Sequence, residues 1–65
     1  MGHLSNPRYE IRAPRPDDPF VEVGYVAATL REVRVIVADM KARGYVDIRC
    51  HKLDSEGFGI GRVTV

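Results

Sequence analysis

Leu30, Val33, Ile36, Val37 and Met40 recur at three- and four-residue intervals, the spacing that lays one apolar stripe along a helix. Thr29 stands immediately before this run and Glu32 follows three residues later. The pair predicts a capping box, in which Thr29 accepts from the Glu32 amide and Glu32 reaches back to the Thr29 amide, with Ala28 and Val33 at the staple positions. Gly44 supplies the left-handed residue that closes a helix, and Tyr45 is placed to fold back on Met40. Arg43 suits the carbonyl end, where it also forms an i,i+4 pair with Asp39. A second, weaker apolar patch of Val35, Ala38 and Ala42 lies on the opposite side of this helix.

On either side of the helix the period shortens to two. In "YVDIRCHKL", Val46, Ile48 and Cys50 fall on one face and Asp47, Arg49 and His51 on the other, which predicts a half-buried strand. "DSEG" reads as a turn opened by Asp54, with a positive φ expected at Gly57, and "FGIGRVTV" as the returning strand. Pairing Leu53 with Phe58 sets Cys50 opposite Gly61, Ile48 opposite Val63 and Val46 opposite Val65. Upstream, "YEIRA" and "VEVGY" alternate around the proline-rich "PRPDDPF"; placing Ala13 opposite Val21 brings Ile11 to Val23 and Tyr9 to Tyr25.

These elements predict an α+β fold, a small ββαββ domain whose antiparallel sheet carries one helix packed on one face, spanning residues 8–65 after a flexible tail at 1–7. The alternative is a βαββ chain with a longer helix from about residue 18, since Asp18-Pro19 is a good helix opening and Val23, Val26 and Ala27 would extend the stripe. Gly24, the β-branched run and the capping box at Thr29 favour two strands.

Length and composition narrow the classes of function. A chain of 65 residues buries only ~60% of the surface its unfolded form exposes, which leaves little wall for a catalytic cleft. Cys50 is the single cysteine, so no internal disulfide and no cysteine-based zinc site is expected, and self-association is the remaining means of enlarging the core. The formal charge of +1 lacks the basic excess of a protein held mainly by phosphates. No apolar run approaches the ~20 residues of a membrane helix, and no secretory leader pattern opens the sequence, so a cytoplasmic protein is expected.

Candidate chemistry is sparse. Gly57, Gly59 and Gly61 have the alternate spacing of a phosphate-cradling loop, but no helix follows to present its amino terminus, and the expected reading is a strand that turns Gly59 and Gly61 toward the helix. Cys50 and His51 are adjacent on a strand and point to opposite faces, which defeats a nucleophile–base pair. His3 and His51 are the only histidines, and Asp17, Asp18, Asp54 and Glu56 fall in two separate turns, so neither metal nor cofactor is expected. Arg12, Arg49, His51 and Arg62, beside Phe58, make a charge-and-stacking face suited to nucleic acid, although Glu10, Glu22 and Asp47 share it. If the glycines face inward, Phe58 and Ile60 face outward near Leu53 and His51, an apolar patch of the kind that marks a contact site.

At "ARGYVDIR" and the "DSEGFGIGRV" hairpin the chain resembles the short uncharacterised hairpin–helix–hairpin proteins of actinobacteria and their phages. The resemblance includes no catalytic motif and implies origin more than activity. The sequence therefore predicts a non-enzymatic interaction module, a homodimer that binds a protein partner through Leu53, Phe58, Ile60 and His51 on the outer sheet face. A nucleic-acid-binding regulator using Arg12, Arg49, His51 and Arg62 is the alternative.

Overall fold

The computed structural model describes residues 8–65; the tail at 1–7 and His3 lie outside the described residues. The elements run β1 (Tyr9–Arg15), β2 (Asp18–Ala27), α1 (Leu30–Ala42), β3 (Arg49–Leu53) and β4 (Gly59–Val63). This is the ββαββ order, in a four-stranded antiparallel sheet of spatial order β2-β1-β3-β4. The longer helix from about residue 18 does not form, because that segment is the strand β2.

The helix termini show why α1 begins and ends where it does. Thr29, with extended backbone, accepts the Glu32 amide through its hydroxyl at 3.2 Å. Glu32 returns the interaction one residue earlier than the sequence predicts, accepting the amide of Ala28 at 2.8 Å rather than that of Thr29. At the other end Gly44 has φ +93°, the Gly44 amide donates to the Lys41 carbonyl and the Tyr45 amide to that of Met40, which is the paired bonding of a Schellman motif. The exposed Asp39–Arg43 pair forms at 3.1 Å.

The regularly paired residues of both hairpins keep the predicted faces but shift by two residues. Ala13 pairs with Val23, Ile11 with Tyr25 and Tyr9 with Ala27, so the two tyrosines are diagonal neighbours rather than partners. The shift arises because Pro16 and Asp17 alone make the turn, tied by Arg15 donating to the Asp17 carboxylate, while an irregularity between Pro14 and Arg15 absorbs the rest of "PRPDDPF" into β2. In the second hairpin Cys50 pairs with Val63, His51 with Arg62, Lys52 with Gly61 and Leu53 with Gly59. Here Asp54 organises the turn: its carboxylate accepts the amides of Glu56 and Phe58, its carbonyl accepts that of Gly57, at φ +91°, and its own amide donates to the Phe58 carbonyl. Phe58 thus belongs to the turn, and Ile60 is left unpaired at a bulge.

Strand β3 begins at Arg49 and not at Tyr45. Continuing the β1–β3 register from Arg12–Arg49 would set Asp47 against Pro14, which has no amide to donate. Pairing stops there, Asp47 takes φ 53° and Val46 is exposed rather than buried with Cys50.

The core lies between α1 and one sheet face. Tyr25, Ile11, Cys50 and Val63 form a row across all four strands, with Ile11 and Cys50 fully buried beneath Val33, Val37 and Met40 of the helix. Ala13 and Ala27 complete the buried cluster, and their small side chains let the helix approach β1 and β2, the strands it chiefly contacts. Thr29→Ala should cost about 1 kcal/mol by removing the cap, whereas Val35→Thr on the exposed side of α1 should change stability by no more than about 0.5 kcal/mol; urea denaturation with an unchanged slope checks both.

Candidate functional site

The sheet face away from α1 is set by the same registers. Val26, Glu10, His51 and Arg62 form one row across the four strands, and Gly24, Arg12 and Arg49 form the next. The register thus brings Arg12, Arg49, His51 and Arg62 together on one face as the alternation predicts. It also interleaves them with acids: Arg12 lies 3.4 Å from Glu10 and 3.6 Å from Glu22, and Arg49 is held by Glu22 through its Nη2. Arg49 Nε is buried with no hydrogen-bond partner, so the terminal nitrogen carries the pairing. Toward the Pro14 end a polar cleft of about 540 Å³ sets Arg49 and Arg62 beside Glu22 and Asp47. Opposite charges within a few ångströms offset one another, leaving little net field over this face.

At the β3–β4 turn the face becomes apolar. Leu53 is half-buried and continues the outward side of His51, while Phe58 and Ile60 are 67% and 59% exposed. The glycines do not act as predicted. Gly61, opposite Lys52, is on the helix side, but a side chain there would meet nothing within 4 Å; at Gly59 it would lie 3.9 Å from the His51 Cβ, on the outward side. No close approach requires either glycine. The reason for the difference is the bulge at Ile60, which breaks the alternation that would have turned both inward.

Cys50 and His51 separate as expected: Cys50 is fully buried beside Ile11, and His51 stands on the outer face between Glu10 and Arg62. Burial pushes the Cys50 thiol above its ordinary pKa. A raised pKa lowers thiolate content and with it nucleophilicity. Among the described residues no three histidine, cysteine or acidic side chains converge as metal ligands, and no helix is long and apolar enough to cross a membrane.

Two features escaped the sequence. Phe20, read as part of a proline-rich loop, stands in β2 and is 96% exposed. Since β1 runs antiparallel to both neighbours, the β1–β2 turn and the β3–β4 turn lie at opposite ends of β1, and so do Phe20 and Phe58. The second feature is an apolar groove of about 430 Å³ between α1 and the end of the chain, lined by Leu30, Val33, Val37, Ala38, Val63 and Val65. No spacing rule would have found it, because it depends on where the helix sits across the sheet.

No family model, curated protein or solved structure matches the chain.

The Cys50 shift has a definite sign. The folded state holds the thiol proton more tightly than the unfolded state, so its contribution is fully present below the ordinary thiol pKa and is lost as pH rises through the folded value. Denaturation measured over alkaline pH should show a steeper fall for the native sequence than for Cys50→Ala; parallel curves would show that the thiol does not contribute.

Proposed function

We propose that the domain is a non-enzymatic interaction module that forms a homodimer and binds a protein partner through the outer sheet face at its β3–β4 end, using His51, Leu53, Phe58 and Ile60. The observation that carries this reading is a turn held by four hydrogen bonds around Asp54 that nonetheless exposes Phe58, with Ile60 exposed at the adjoining bulge. An ordered turn presents an aromatic side chain with little entropy left to lose on binding, and aromatic anchors ringed by polar residues are the usual energetic centres of interfaces. A second apolar layer would also relieve the thin core of so short a chain.

The separation of Cys50 from His51 onto opposite faces supports a non-catalytic role. A free, buried thiol accords with a cytoplasmic setting, where thiols stay reduced. The nucleic-acid reading draws less support. Glu10 and Glu22 engage Arg12 and Arg49, two of its four basic residues, so binding a phosphate there has to displace a carboxylate already in place.

Sedimentation at micromolar concentration should give a dimer for the native sequence and a monomer for Phe58→Asp or Ile60→Asp, with helix and sheet content unchanged by circular dichroism. Native protein that remains monomeric at every concentration would exclude the dimer.

A further inference from the structure

The groove between α1 and the end of β4 is a site of a different kind. An α-helix with its side chains is about 10 Å across, and neighbouring strands lie about 4.8 Å apart, so one helix covers about two strands. Helix α1 chiefly contacts β1 and β2, which leaves the core face open beside β4. Leu30, Val33 and Val37 form its helix wall, Val63 of β4 and Val65 beyond the strand its other wall, and Ala38 keeps the mouth wide. At Gly61 no side chain projects toward the helix and the space there is open to 4 Å.

Two properties of the groove specify its occupant. First, β4 is an edge strand among the described residues, so one side of its backbone presents donors and acceptors with no neighbouring strand among them. A helix or an acyl chain leaves those groups unpaired, whereas an extended peptide bonds to them and places alternate side chains in the groove. Second, the charged side chains that line the groove are Arg34 and Lys41, without an acidic side chain. They are seven positions apart, hence about 10 Å along the helix axis. A second copy of this chain pairing through β4 would bring the same groove, lined by Arg34 and Lys41 without an acid, and so supplies no carboxylate there to answer them.

We propose that the α1–β4 groove binds an extended, acidic-flanked apolar segment of a partner protein, which adds to the free edge of β4 as a fifth strand. Its alternate apolar side chains pack on Leu30, Val63 and Val65, and its flanking carboxylates pair with Arg34 and Lys41. The groove volume of about 430 Å³ falls within the ~300–1,000 Å³ of ligand clefts and suits a short stretch of side chains rather than a whole domain. This site is separate from the Phe58 surface and stands or falls without it.

The probe is a synthetic peptide of alternating valine and threonine flanked by glutamates, labelled for fluorescence anisotropy and titrated into the full chain. Saturable binding is expected, with amides of Gly59–Val63 gaining protection from hydrogen exchange. Replacing the flanking glutamates by lysines, or introducing Ala38→Glu, should weaken binding by about tenfold or more. Methylating alternate peptide nitrogens should abolish it, and Phe58→Asp should leave it unchanged. Spectral dispersion of the Ala38→Glu protein confirms that it is folded. Absence of saturation at millimolar peptide, affinity indifferent to backbone methylation, or protection at β2 instead of β4 would each overturn the proposal.

Discussion

One helix of thirteen residues has to desolvate one face of a four-stranded sheet, and it is too narrow to do so completely. Everything distinctive about the molecule follows from where that helix is placed. It lies over β1 and β2, where Ala13 and Ala27 permit close approach, and Ile11 in the central strand is sealed beneath Val33, Val37 and Met40. The aromatic side chains remain at the margins of the core: Tyr9 and Tyr45 only pack against it, and Val63 forms its far edge. With so few fully buried residues, hydrophobic burial offsets chain entropy only narrowly, so caps and turns matter more than they would in a larger domain.

That placement divides the surface into three chemically different regions. The uncovered sheet face is ionic along its middle rows, where Glu10 and Glu22 answer Arg12 and Arg49 in the same layer. At its β3–β4 end the face turns apolar around Phe58 and Ile60. On the helix side, the strip that α1 leaves open beside β4 is apolar with a basic margin. A charged face whose partners are already supplied within the chain is costly to strip of water, whereas the other two regions are apolar.

Local order reinforces the division. Asp54 concentrates the hydrogen bonds of the second turn on one side chain, and the first turn is drawn tight by Arg15 and Asp17. The first hairpin therefore closes more tightly than the alternation of apolar residues requires, whereas the second takes Phe58 into its turn. The residues beside these irregularities, Phe20 in one hairpin and Ile60 in the other, are among the exposed apolar side chains. Bulged or irregular positions commonly re-aim side chains near contact sites.

Much of this was legible in the sequence. The element order, both helix caps, the Asp54 turn and the face of every residue from Arg49 to Leu53 follow from short-range rules, because capping geometry and strand alternation are decided within a few residues. Even a two-residue error in each hairpin left the faces of the regularly paired residues right, since the strand period is two; Gly59, beyond the bulge, is the exception. Other features required the tertiary structure. The β1–β3 ladder stops at Arg12–Arg49, short of the point where its register would set Pro14 against Asp47, an effect carried across strands distant in sequence and invisible to the alternation of "YVDIRCHKL". Likewise the carboxylates that occupy Arg12 and Arg49 come from neighbouring positions in the sheet, and the groove beside β4 exists only because a narrow helix settled over β1 and β2. Local patterning determined which side of each strand is apolar; the width of a helix against the width of a sheet decided which apolar surface stays open.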